Sequence, residues 1–189
     1  MKTRLFLSVA ALVFSAGMAH AGPITYSISA ILSGSLGGTS FNNTPATLTM
    51  NADTSGVTGG AGFFTINGTV LLNVPGIGSG TFTDVMEVFD NQSYPAVGFA
   101  DVTVGPSVLD VIDSAFTTYA LTTAIGPITN TPYVNFGESF PTTAGAFIIT
   151  DSSNATFTAI TPEPMSFGLL GLGLAAIAGG ARLRRQRSR

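Results

Sequence analysis

The chain has 189 residues, a formal net charge of −3 at pH 7, seven Lys and Arg, ten Asp and Glu, one His and no Cys. All the bases stand at the extremities, Lys2 and Arg4 at one end and Arg182, Arg184, Arg185, Arg187 and Arg189 at the other, whereas nine of the ten acids fall within 22–160. A body without Lys or Arg cannot neutralise phosphates, which argues against nucleic-acid binding, and the lack of Cys removes disulfides, thiolate metal sites and Cys nucleophiles together.

In chain order, residues 1–21 have the three parts of a secretory signal peptide. Lys2 and Arg4 supply the positive start, 5–16 (LFLSVAALVFSA) the apolar region, and Ala19-His20-Ala21 the small residues that signal peptidase reads. Cleavage is expected after Ala21, so that His20, the only imidazole, leaves with the signal. The alternative, an uncleaved membrane anchor, is disfavoured by the short apolar run.

Residues 22–160 read as one all-β body, an antiparallel, jelly-roll-like β-sandwich of eight or nine short strands. Ile24, Tyr26 and Ile28 alternate with Thr25, Ser27 and Ser29, the period of a half-buried strand. Leu48 and Met50 alternate with Thr47 and Thr49. Phe64, Ile66, Gly68, Val70 and Leu72 line one face, with Thr65, Asn67 and Thr69 on the other. Further strands are predicted over 81–89, 96–104, 108–112, 116–121, 144–150 and 155–160. Turns are expected at Ser33-Gly34-Ser35, Gly59-Gly60, Pro75-Gly76 and Gly105-Pro106. Residues 120–141 are the least regular and read as a long loop. With no Lys to guard strand edges, that task falls to carboxylates and to Pro45, Pro75, Pro95, Pro106 and Pro132.

The acids are the remaining chemistry. A Ser-His-Asp triad needs an imidazole and a Ser-Lys dyad an amine, and the mature body has neither. Glu87 and Glu138 are its only glutamates for a glycosidase pair, and no Trp is present to stack on a sugar. No catalysis is expected. Asp84, Glu87 and Asp90 cluster in sequence and are the candidate Ca²⁺ ligands, with no other cofactor implied. Their spacing does not form an EF-hand, and the strand period puts Asp84 and Asp90 on one face with Glu87 opposite. A solvated acidic edge is the plainer reading.

Thr161-Pro162-Glu163-Pro164 follows the body as an extended segment, since each proline biases its predecessor away from helix. Residues 165–181 then run uncharged for 17 residues, the lower limit for a transmembrane helix, and Arg182, Arg184, Arg185 and Arg187 follow. That order places 182–189 in the cytoplasm and the body outside. A buried core helix is the alternative, against which the flanking arginines argue.

Pro162-Glu163-Pro164, Ser166 opening a Gly/Leu/Ala-rich span and the Arg-rich end together resemble the PEP-CTERM sorting signal of Gram-negative bacteria. Thr161 stands where that family often has Val, and Met165 where it often has a small residue. The resemblance covers about the last 29 residues and says nothing of the body. It implies processing by an exosortase, a membrane-embedded transpeptidase-like enzyme, after transient anchoring in the inner membrane with the body in the periplasm. Delivery to the cell surface or the extracellular polysaccharide matrix then follows. Signal peptidase, exosortase, the membrane and exopolysaccharide are the implied partners, and the expected role is structural or adhesive. A Ca²⁺-dependent carbohydrate-binding module is the alternative, and a matrix polysaccharide hydrolase or lyase the third.

Overall fold

The computed structural model describes residues 21–162. Ala19, the sorting segment from Glu163 and Pro164 onward, the expected membrane helix and Arg182, Arg184, Arg185 and Arg187 lie outside the described residues.

Two antiparallel sheets account for the body, which is a β-sandwich. The first carries β1 (Pro23–Leu36), β2 (Thr39–Asp53), β5 (Val70–Val74), β6 (Gly78–Thr81), β10 (Ile125–Asn130), β12 (Ser139–Thr142) and β13 (Gly145–Ile160). Its order is β10-β13-β1-β2-β5-β6, with β12 also paired to β13. The second carries β3 (Thr58–Gly60), β4 (Phe63–Gly68), β7 (Met86–Asn91), β8 (Ala96–Asp101), β9 (Ser107–Ile112) and β11 (Pro132–Tyr133), in the order β11-β9-β8-β7-β4-β3.

The period of two decides which side chains meet between the sheets. Tyr26, Ile28, Leu48, Met50, Leu72 and Phe157 from the first join Ile66, Val88, Val97, Phe99, Leu109 and Val111 from the second in one core. Each such side chain contributes about 1.5–3 kcal/mol by leaving water. This burial, without disulfides, holds the fold.

The first sheet also curls back towards itself. Thr143 N–H donates to Thr81 O at 2.9 Å and Thr83 N–H to Pro141 O at 3.0 Å, with a bridge between Phe82 and Thr142. These bonds bring the β6 edge to β12, and Phe82 packs edge-on against Phe140 and Phe147 beneath them.

Several expected elements differ. The turn expected at Ser33-Gly34-Ser35 is absent, because β1 runs through it; the hairpin instead turns at Gly37-Gly38, where φ values of 57° and 83° suit a two-residue loop of type I′. Gly34 is needed for another reason: a Cβ there would fall on the carbonyl oxygen of Ile148, across a register shift with β13. Residues 81–89 are not one strand but the end of β6, a crossing at 82–85 from the first sheet to the second, and the start of β7. The strand expected at 116–121 is replaced by a 3₁₀ turn at Ser114–Thr118, capped by Asp113, whose Oδ1 accepts the Ala115 N–H at 2.9 Å. That turn sends Phe116 into the core, against Phe157.

The two strands expected over 144–160 are one, β13, kept continuous by a bulge in which Asn154 takes φ 49°. Residues 120–141 are not a long loop but hold β10, β11 and part of β12. Of the prolines expected to guard edges, only Pro132 lies on an edge strand, β11; Pro127 in the edge strand β10 does the same, while Pro45 sits within β2.

Candidate functional site

The three acids grouped by sequence are dispersed by the fold. Asp90 lies on the inward face of β7 with Met86 and Val88 and is fully buried, whereas Glu87 points to the outer face of the second sheet. Asp84 precedes β7, in the crossing between sheets. Among the described residues no three His, Cys, Asp or Glu side chains are grouped to hold a metal ion. The Asp84, Glu87 and Asp90 set is therefore not brought together as a ligand cage.

Asp90 has neither oxygen hydrogen-bonded. Burial pushes its carboxyl up to about 7, since the low-dielectric core disfavours the charged form. Nearby polar groups are engaged elsewhere. The Tyr119 hydroxyl donates to Thr123 O at 3.1 Å, the Tyr26 hydroxyl to Leu121 O, and the Gln92 side-chain amide to Tyr119 O.

A second buried acid, missed in the sequence, influences Asp84. Asp101 ends β8 directly opposite Met86 and shares its inward face, fully buried. Its Oδ1 accepts the N–H of Thr103 at 2.7 Å and of Val104 at 3.3 Å, closing a turn towards Gly105. Its Oδ2 is buried without a partner. The crossing segment is pinned on both sides of Asp84, by Thr83 N–H to Pro141 O at 3.0 Å and by Val102 N–H to Val85 O at 2.9 Å. Desolvation and then the Asp101 charge raise the Asp84 carboxyl above its usual range. A cleft of about 380 Å³ opens here, lined by Asn67, Gly68, Thr69, Phe82, Thr83, Asp84 and Val85. The signal for Asp101 in the sequence was its place before Thr103, Val104 and Gly105, a capped turn rather than the continuous strand expected over 96–104.

The outer face of the second sheet carries a third grouping. Its register puts Thr65, Phe89, Gly98, Asp110 and Tyr133 in one row across five strands. Glu87 and Ala100 lie in the next row. Asp110 is nearly buried, leans on Gly98 where any Cβ would collide with it, and accepts from the Ser107 hydroxyl. Burial pushes it up to about 7, with the Ser107 bond opposing. Glu87 is also raised by burial. Glu138, by contrast, is exposed in the segment before β12.

Of the sorting residues, Ala21 and Pro162 are described and both are exposed. They flank the two ends of the body, which lie side by side, since Thr25 pairs with Ile160 across β1 and β13. No helix among the described residues is long and apolar enough to cross a membrane. The chain matches no family model, no curated protein and no solved structure.

Proposed function

We propose that the chain is an exported protein of the cell surface or the exopolysaccharide matrix, with the sandwich in a structural or adhesive role. Residues 1–21 act as the signal peptide, and 161–189 as a PEP-CTERM sorting signal with a membrane helix at 165–181. Signal peptidase and exosortase process the two ends. The body acts without catalysis, because between the two signals there is no imidazole, amine, guanidinium or thiol.

The observation that carries this reading is the extent of the folded body. Among the described residues its strands begin at Pro23, two residues after Ala21, and end at Ile160, immediately before Thr161-Pro162-Glu163-Pro164. The two ends emerge together, a geometry that suits a body standing on one pole above a membrane. The test is terminal sequencing of the protein from its native envelope. A first residue of Gly22 and loss of the tail after Pro164, with retention of the tail in a strain lacking exosortase, support it. An intact chain in the cytosol overturns it.

A second reading, a carbohydrate-binding module, is favoured by the outer row of Phe89, Gly98, Asp110 and Tyr133. Gly98 lies buried beneath the Asp110 carboxylate, so the accessible part of the row is the partly exposed Phe89 ring and the half-exposed Tyr133 ring, aromatic surface of the kind that stacks on a sugar. Neutral glycans suit it, as Glu87 and Asp110 repel anionic ones.

A further inference from the structure

We propose that a second copy of this chain packs on the outer face of the first sheet, over the uncharged rows that β13, β1 and β2 form near the two ends of the body. The inference stands independently of the sorting reading and gives the body the contact through which copies join.

Tyr26, Ile28, Leu48, Met50 and Phe157 point into the core, so the side chains that alternate with them point out. Strand register lines these up. Thr156, Ser29 and Thr47 stand in one row, Thr158, Ser27 and Thr49 in the next, and Ile160, Thr25 and Asn51 in the last. The block holds no charge. Asp53 lies beyond it at the end of β2, and Asp151 lies opposite Ser33 on its other side, so the acids of these strands fall at its margins. Polar groups within the block answer one another: the Ser29 and Thr47 hydroxyls share a hydrogen bond of 3.1 Å, and the Thr25 hydroxyl donates to Asn51 Oδ1 at 2.7 Å. Groups already paired lose less on leaving water than free ones. Beside them Ile160 is 59% exposed, and Leu71, opposite Thr49 on β5, is 49% exposed. Depletion of charge around apolar side chains left in solvent is the composition of an interface core.

The charge of the body selects the occupant. Residues 22–160 hold nine acids and no Lys, Arg or His. A basic partner is drawn to carboxylates, such as Glu87 on the outer face of the second sheet, and not to an uncharged block. A second copy is repelled by every acidic surface and approaches closely only where the acids are missing. The block also complements itself. Each hydroxyl and amide both donates and accepts, so the same patch on two copies can meet across a two-fold axis. Twisted sheets pack face to face with their strands about 30° apart, as they do inside a sandwich.

The test is sedimentation velocity on the full chain in density-matched detergent. A dimer is expected, more populated at about 0.5 M than at about 0.02 M NaCl, because salt screens the repulsion between the acidic surfaces. T47E sets like charges against each other at the contact and is expected to raise the dissociation constant at least about tenfold. T103E, in the exposed turn after β8, is expected to leave it unchanged. The chain has no Cys, so a single one reports its own surroundings. S29C is expected to give a dimer linked by a short bis-maleimide, and T103C is not. Should T47E fail to fold, the S29C linkage decides alone. A chain that is monomeric up to about 100 μM, a dimer that folded T47E leaves intact, or linkage at Thr103 without linkage at Ser29 overturns the proposal. A monomer that holds a neutral polysaccharide on this face overturns it too, in favour of that occupant.

Discussion

Asp90 lies directly opposite Val97 on the inner face of the second sheet, in a row with Phe64 and Val111. A carboxyl in such a row is tolerated as the neutral acid and costs stability when it ionises. With its folded value raised to about 7, the native state binds this proton more tightly than the unfolded chain does. The contribution is thus most favourable below about pH 4, is lost as pH rises towards 7, and leaves a standing cost above that. Asp110, also raised to about 7, acts with the same sign. Melting temperature is expected to fall between pH 5 and pH 8 by circular dichroism. Asp90→Asn should flatten that slope, while Asp151→Asn, which removes an exposed charge, should leave it intact.

At Gly34 the β1 backbone runs tight against that of β13. A methyl group there meets the Ile148 carbonyl rather than a side chain that could rotate away. Gly34→Ala is expected to destabilise by about 1–3 kcal/mol in urea unfolding. Gly78→Ala, whose methyl would find only Leu36 Cδ2 at 3.9 Å, serves as the neutral comparison. Equal midpoints for the two variants would contradict the close packing described.

Phe82 closes the curled end of the first sheet by packing against Phe140 and Phe147. Phe82→Ala is expected to cost about 3–5 kcal/mol. It should also raise hydrogen exchange at the Thr83 and Thr143 amides, which bridge β6 and β12. Loss of stability with those amides still protected would show that the ring is not what joins the edges.

The outer row predicts its own result. Phe89→Ala or Tyr133→Ala should weaken binding of a neutral polysaccharide by about fivefold or more while leaving Tm near that of the parent, given that Tyr133 is half-exposed on the surface. Retention by an affinity gel containing the polysaccharide is the measurement, and parent protein that shows no retardation at all removes the carbohydrate reading.

Trypsin offers a check on the charge distribution alone. No Lys or Arg lies between Leu5 and Ala181, so the body should yield no internal tryptic fragment even when denatured.

Much of the architecture could be read directly from residue alternation. Ile24, Tyr26 and Ile28, and likewise Leu48 and Met50, face the core as their period requires. Strand limits were less legible, for physical reasons. Asp151 to Asn154 look like a turn, yet long pairing with β1 carries them through as strand, with Asn154 absorbing the extra residue. Phe116, Thr117 and Thr118 have strand-forming side chains, but the Asp113 cap next to them fixes a 3₁₀ turn. The acids were the least legible. Asp84, Glu87 and Asp90 are neighbours only along the chain, while Asp101 is set opposite Met86 by strand pairing between β7 and β8. No local pattern encodes that meeting.

The pairing of Thr25 with Ile160 has a mechanical consequence. Tension applied between the two ends of the body would act across the β1–β13 ladder and open its hydrogen bonds one after another, like a zipper, instead of shearing them all together. The body is thus poorly built to carry stretch along its own chain. A load entering through a sheet face would spare that ladder.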